Sequence, residues 1–417
     1  MRILVYPHEL SLGGSQINAI DLAAEIKNAG HDSIIYGVEG PLTEYIRGKG
    51  LDYHAAHPNA VRPNPIRIAQ LARLCRRERI DLIHAYEWPP CLDAYYGAHL
   101  LLGVPVLCSV LSMWASPLVP DTVPLIMGTE ALGDEVRRER RGDGANVYVL
   151  EPPIDIVADR PTTDGGAFRR QLGIADNELL VASVSRLSFD LKFDALTDAI
   201  DAAASLAAKW PIRLVLVGGG DAESECRRRA DIVNALHNRE VILLPGPSLD
   251  PRPAYAGADV VIGMGSSALR AMAHEKPLVV QGERGWALPC NPDTIGVFLH
   301  QGFFGEGAGS SGAPALAAAV ERLLEDAERR TLLGKWGRET VIERFSLQAA
   351  AKSLIGMFEN VRLGEPRIAF RRKAAAFAQV TGRAFVNELQ YHLPNYKRRR
   401  DAELQRRMQD AVVNANR

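Results

Sequence analysis

The sequence predicts an α/β protein: two Rossmann-like, parallel-sheet domains facing a central cleft, with a C-terminal helical extension. Three observations carry this. Short apolar runs alternate with helical patterns along both halves of the chain. A polar stretch rich in Pro and Gly, DIVADRPTTDGG (155–166), separates the halves. The length, 417 residues, exceeds what one core ordinarily organises.

In the first half ILVY (3–6) reads as a strand and Ser15 to Asn28 as a helix. SIIYG (33–37) is a strand, followed by a helix near 42–49. IRIAQLARLCRRER (66–79) is helical, DLIHAY (81–86) a buried strand, LDAYYGAHLLLG helical and VPVLCSVL (104–111) a strand. The second half repeats the logic. LLVASVS (179–185) leads to a helix near 193–209, and IRLVLVGGG (212–220) to one near 222–237. EVILLPG (240–246) and ADVVIGMG (258–265) are strands, then come a helix near 267–275 and the strand PLVVQGE (277–283). Helices near 313–326 and 328–344 close this half. The expected boundaries are 1–156 for the first domain, 157–175 for a linker, 176–346 for the second domain, 347–366 for a helix returning to the first, and 367–417 for a tail.

Composition narrows the class. An apolar share of 47% with 24% charged residues is that of a water-exposed globular protein. The five cysteines are odd in number, scattered and lack any CxxC pair, which speaks for a cytoplasmic protein without a disulfide frame or structural zinc. The opening MRILVYPHEL is too short in its apolar run for a signal peptide, and the apolar region 94–120 is broken by His99, Gly103 and Pro105. The net charge of −1 is uneven: residues 367–417 hold twelve Lys/Arg against four Asp/Glu, leaving an acidic body.

Candidate chemistry centres on Arg186 and Lys192, at the carboxyl end of the strand at 179–185 and just before a helix. A guanidinium fork, an ammonium and helix amides together suit a diphosphate. A solvated surface pair is the plain alternative. Gly13 and Gly14 permit close backbone approach, and Ser15 is placed to cap the next helix. Gly218 to Gly220 read as a tight turn more than a phosphate cradle. His84, Tyr86 and Glu87 end a strand; a structural polar cluster competes there with a binding role, and His84 alone reads as a packed core histidine.

Read together, these segments resemble a GT-B glycosyltransferase of the retaining family 4 (glycosyl transferases group 1), over residues 1–360. Gly13-Gly14-Ser15-Gln16 resembles the family's GG-x-E loop, and Pro152-Pro153-Ile154-Asp155 its N-G-V-D turn. Ser185-Arg186-Leu187 with Lys192 resembles its G-R-L…K element, and Val217-Gly218-Gly219-Gly220 its V-G-x-G turn. Leu269-Arg270-Ala271-Met272-Ala273 with Lys276-Pro277 resembles its L-E-A-M-A-x-G-x-P helix, and Val341 to Ser346 its closing helix signature.

The resemblance implies a nucleotide-sugar donor held mainly by the second domain. Arg186 and Lys192 would neutralise the departing diphosphate, in place of a metal; the chain has no D-x-D triplet. No cofactor is then expected. The diphosphate itself would take the acceptor's proton, so no strong general base is required, in keeping with the lack of a clear His–carboxylate pair. Gly13, Gly14 and Ser15 would line the donor phosphates. Gln16, His84, Tyr86, Glu87 and Leu111 would border the acceptor. Two departures stand out. The family's paired glutamates are replaced by Ile262 and Arg270, with Gly263-Met264-Gly265-Ser266-Ser267 filling a shortened loop. Arg cannot accept hydrogen bonds from ribose, so Glu283 is the expected substitute and Glu275 the next choice; Arg270 meets a phosphate or pairs with a neighbouring acid. The second departure is Leu111, where the family carries a histidine; Ser112 or Trp114 is placed to take over. Both suggest an unusual donor sugar and a specialised pathway, a natural product or a surface glycan.

The tail places Ile368, Ala369, Phe370, Phe377, Val380, Phe385, Val386 and Leu389 among basic residues, an amphipathic pattern. Packing on the first domain, a homo-oligomer contact and an anionic membrane remain open for it. A nucleic-acid role is disfavoured by the acidic body. Two rival readings of the whole chain stay open: a sugar-nucleotide epimerase on this fold, and a non-catalytic partner subunit.

Overall fold

The computed structural model describes residues 1–11, 13–58, 63–112, 114–140, 146–248, 250–305, 312–364 and 377–386. It divides into two compact units, one of Met1–Ile126, Val136–Tyr148 and Ile355–Arg417, the other of Met127–Glu135 and Val149–Leu354.

The first sheet is built from β1 (Arg2–Tyr6), β2 (Asp32–Gly37), β3 (Asp52–Ala55), β4 (Leu82–Tyr86), β5 (Val106–Val110), β6 (Leu125–Met127) and β7 (Val147–Val149). Its order is β3-β2-β1-β4-β5-β6-β7, and the pairs from β3 to β5 are parallel. The helices between are α1 (Gly14–Asn28), α2 (Thr43–Gly48), α3 (Pro65–Glu78), α4 (Trp88–Ala94), α5 (Leu100–Leu102) and α6 (Glu130–Glu139). α4 runs into α5 through a wide π turn at Tyr95–His99. All five residues of β4 and of β5 are buried, as expected of strands covered on both faces. α3 starts where it does because Asn64 accepts from the amides of Ile66 and Arg67 and Pro65 occupies its first position.

The second unit holds α7 (Gly166–Gln171), β8 (Leu179–Val184), α8 (Phe193–Leu206), β9 (Ile212–Val217), α9 (Glu223–His237), β10 (Ile242–Gly246), α10 (Arg252–Gly257), β11 (Val260–Gly263) and α11 (Ser266–Ala273). It continues with β12 (Leu278–Gln281), β13 (Ala287–Pro289), α12 (Ile295–Gln301), α13 (Gly312–Leu324) and α14 (Ala327–Arg344). The order is β10-β9-β8-β11-β12-β13; β12 and β13 are antiparallel, and the other pairs are parallel. Apolar side chains alternate between the two faces of β8. Val181 packs with α8, α9 and α13, whereas Leu180 and Ala182 pack with α10 and α11. α15 (Leu347–Leu363) follows, and a final helix α16 covers 377–386.

Several features differ from the sequence reading. Residues 157–175 are more than a tether: Asp155 Oδ1 accepts from the amides of Val157 and Ala158, Asp159 is buried, and α7 packs on α10. The short elements β3, β6, β7, β13, α10 and α12 are additions. Of the tail residues singled out, Ile368, Ala369, Phe370 and Leu389 lie outside the described residues.

In parallel sheets ligands gather at the carboxyl ends of the strands, where chain order reverses across the sheet. That point lies between β1 and β4 in the first sheet and between β8 and β11 in the second. The exits of these four strands carry Gly13, Gly14, Glu87, Arg186, Lys192 and Gly265 among the residues marked from sequence, while Leu111 follows β5 and Glu283 follows β12.

Candidate active site

In the second unit β8 ends at Val184 and hands the chain to an exposed Arg186. The loop reaches Lys192, the residue capping α8, through Leu191 at φ 60. Lys192 is half-buried. Its ammonium is pushed down from 10.5 to about 8, first by burial and next by the Arg186 charge, while Glu283 acts in the opposite direction. Among the described residues neither cation is engaged in a side-chain hydrogen bond or ion pair. Arg186, Lys192 and Glu283 therefore form one electrostatic group.

Two neighbouring strand ends fix this group. After β9, Gly218 (φ 156) and Gly220 (φ 155) press against the Arg186 loop. A Cβ on Gly218 would stand 1.8 Å from the Ser185 carbonyl oxygen, and one on Gly220 2.3 Å from that of Leu187. Leu187 N donates to Gly219 O at 3.0 Å, Ala222 N to Leu187 O at 2.9 Å, and Phe189 N to Asp221 Oδ1 at 3.2 Å. The glycine run serves backbone packing, and through it the placement of Arg186. After β12, buried Gln281 donates from Nε2 to Ala195 O at 3.0 Å, and Arg284 N donates to Asp194 Oδ2 at 3.1 Å. The turn carrying Glu283 is thus tied to the first turn of α8, directly beyond Lys192. Glu283 N donates to Gly305 O at 2.9 Å.

After β11, Gly265 caps α11 at φ 58 and ψ −134, a conformation open to glycine. Ser266 is exposed at the helix start, whereas the Ser267 hydroxyl is turned inward and accepts from Tyr255 OH at 3.0 Å. Arg270 takes the acid-pairing alternative: its Nη1 lies 3.7 Å from Asp159 Oδ1, a carboxylate also 3.5 Å from His274 Nε2. This corrects the assignment of Arg270 to donor binding. Glu275 follows the carboxyl end of α11, so it sits at the opposite edge of the sheet, beside Arg338 at 4.0 Å. Of the two glutamates, topology leaves Glu283 on the cation side.

The first unit behaves differently. Gly13, extended, caps α1, and Ser15 lies inside the helix with its hydroxyl donating to Gln16 Oε1 at 2.8 Å. Ser15 is therefore no cap. A Cβ on Gly14 would meet no atom within 4 Å, so the helix start is open there. Gln16 is buried and its Nε2 donates to Glu9 Oε1 at 3.1 Å and lies 3.3 Å from His8 Nε2. The sequence reading missed His8 and Glu9, a pair 3.5 Å apart at the exit of β1. The dipeptide itself was the signal, placed just before the glycine pair.

His84 and Tyr86 are corrections to the acceptor set. Both are buried, His84 at 2.7 Å from Ser109 Oγ and edge-on to Phe358. Burial lowers the His84 imidazole to about 3 and raises the Tyr86 phenol. Glu87 (φ 67) turns its carboxylate onto the next strand exit. Oε1 accepts from Leu111 N at 2.9 Å and Ser112 N at 3.0 Å, and Oε2 from the Ser112 hydroxyl at 3.0 Å. Glu87, Leu111, Ser112 and, through its carbonyl, Trp114 form one bonded loop.

Two parallel sheets in these orders, each with a helix-starting loop at its reversal point, define the GT-B class of glycosyltransferase. The solved structures of this shape agree. A glycosyltransferase from Rickettsia africae superposes with a TM-score of 0.71 at 16% identity, covering 88% of this chain and 99% of that one. Anabaena HepE, in complex with UDP and glucose, gives 0.68 at 17% identity over 86% and 99%. The chain belongs to glycosyltransferase family 4. Residues 12–156 match Glycosyltransferase Family 4 and residues 178–326 match Glycosyl transferases group 1, together well over half the chain. An uncharacterised glycosyltransferase of Methanocaldococcus jannaschii is 25% identical over 85% of this chain and 96% of its own length. A D-inositol 3-phosphate glycosyltransferase of Kineococcus radiotolerans is 30% identical over 230 residues; that match spans about half of either protein.

Proposed function

We propose that the protein transfers a sugar from a nucleoside-diphosphate sugar to a small-molecule or glycan acceptor, with retention at C1 and without a metal. The observation that carries this is the Arg186–Lys192–Glu283 group at the carboxyl ends of β8 and β12. As the bond from C1 to the diphosphate breaks, negative charge grows on the leaving oxygen, and two fixed cations stabilise it. The new bond forms on the face the diphosphate leaves, and the diphosphate takes the acceptor's proton. Glu283 supplies the hydrogen-bond acceptors for ribose that Arg270 does not. The relative crystallised with UDP makes UDP the nucleotide to test first. The acceptor side is read as the exits of β1 and β5, with His8 and Glu9 beside Gln16. Nothing in this chemistry calls for a compartment other than the cytoplasm.

Purified protein incubated with UDP- and GDP-sugars should release nucleoside diphosphate, undiminished by chelator, and NMR of the product should show the donor's anomeric configuration. Arg186→Ala and Lys192→Ala should each lower turnover by about a hundredfold or more. Turnover that survives both changes removes the mechanism. A C2-inverted nucleotide sugar formed without acceptor would turn the assignment to an epimerase.

A further inference from the structure

The turn that carries Glu283 is stiff in itself. It joins β12 to β13, with Trp286 N donating to Glu283 O at 3.1 Å and Gly282 N to Trp286 O at 3.0 Å. Arg284 (φ 51) and Gly285 (φ 75) are both left-handed, the form that matches the twist of a tight hairpin. For Arg284, which carries a Cβ, that form costs energy and needs support from outside the turn. The first central amide of such a turn has no partner within it. Here the partner comes from α8: Arg284 N donates to Asp194 Oδ2 at 3.1 Å.

A second tie starts one residue before the turn. Gln281, the last residue of β12, is 3% exposed and donates from Nε2 to Ala195 O at 3.0 Å. Asp194 and Ala195 are the second and third residues of α8, and Lys192 caps that helix. Both side-chain ties therefore run from the Glu283 turn to the helix start that bears Lys192. A rigid turn fixed to that helix sets the reach from carboxylate to ammonium. A ligand recognised at two points gains fully only when both contacts form without slack. Pyrophosphate offers one such point; a nucleoside diphosphate offers two.

We propose that Gln281 and Asp194 are positioning residues that fix Glu283 relative to Lys192, so that ribose and diphosphate are gripped together and a nucleoside diphosphate is preferred over free pyrophosphate. This rests on the nucleotide-sugar reading above. Charge alone predicts the opposite for Asp194, because removing a carboxylate two residues from Lys192 favours any anion. The test is calorimetry of the parent, Asp194→Ala, Asp194→Asn and Gln281→Met with UDP, GDP and pyrophosphate. Asp194→Ala and Gln281→Met should each weaken UDP or GDP, whichever the parent prefers, about tenfold, and leave pyrophosphate within about twofold. Asp194→Asn keeps an oxygen for Arg284 N and should restore most of the nucleotide affinity. Variants that bind the nucleotide like the parent, or lose nucleotide and pyrophosphate in equal measure, overturn the proposal.

A parent that binds neither UDP nor GDP fails the nucleotide reading instead. The placement of Glu283 then has its own readout, the NMR titration of the Lys192 ammonium in the ligand-free protein. Glu283 favours the charged lysine, so Gln281→Met, which changes no charge, should lower that midpoint from the parent's. Gln281→Leu serves should Gln281→Met not fold. An unchanged midpoint overturns the proposal whether or not nucleotides bind.

Discussion

The two sheets use the same device, a strand exit feeding a helix at the reversal point, yet they treat its polar groups in opposite ways. At the exit of β1, Ser15, Gln16, His8 and Glu9 are bonded among themselves, and Glu87 after β4 is committed to the amides of Leu111 and Ser112. At the exit of β8, Arg186 and Lys192 are held close without such ties, and the bracing is done by backbone and by Gln281 instead. The first unit's polar residues build the loops. The second unit's loops present the polar residues. A cation pair whose own hydrogen bonds are unspent is suited to a ligand's charge; a carboxylate already accepting three bonds is suited to holding shape.

Lys192→Ala breaks the comparison most directly. Loss of about a hundredfold or more in turnover, with the melting temperature held, is the expected outcome. Equal loss from Glu87→Gln would show that the two exits do the same work. Gly218→Ala comes next. Its Cβ would overlap the Ser185 carbonyl, so the Arg186 loop must shift; stability should fall by about 2 kcal/mol in thermal denaturation, with a marked fall in turnover. The pH response is gentler. Lys192 is charged below about 8 and neutral above it, so UDP affinity should be level up to about pH 7 and weaken about tenfold between about pH 7 and about pH 9, measured by calorimetry. A level profile would place the diphosphate away from Lys192. Smallest is Glu87→Gln, expected to cost about 1–2 kcal/mol of stability through weaker bonds to two amides, with UDP affinity unchanged.

Much of this was legible in the chain. Long apolar runs such as IRLVLV and a polar loop ending in a cation fix a strand and its exit by local pattern alone, so Arg186 and Lys192 stood out. Glu283 followed from its place after a strand. What escaped, or stayed open between two readings, depends on contacts distant in sequence. Glu87 reaches amides 24 and 25 residues away, Arg270 reaches Asp159 in the polar segment between the halves, and His84 is buried by Phe358 from α15. The short strands β3 and β13 have no fully buried residue, so period-two patterning had little to act on. Ser15 was misjudged as a cap because helix α1 begins one residue earlier, at Gly14.

Holding Arg186 and Lys192 side by side has an energetic sequel. A drop in the lysine's proton affinity from 10.5 to about 8 amounts to about 3 kcal/mol of unrelieved burial and repulsion in the resting protein. The unfolded chain keeps that proton up to its ordinary range, so the ligand-free fold should grow firmer as alkali rises through this interval. On the proposed function, an arriving diphosphate would cancel the mutual push of the two cations, and the site would be strained when idle and at ease when loaded.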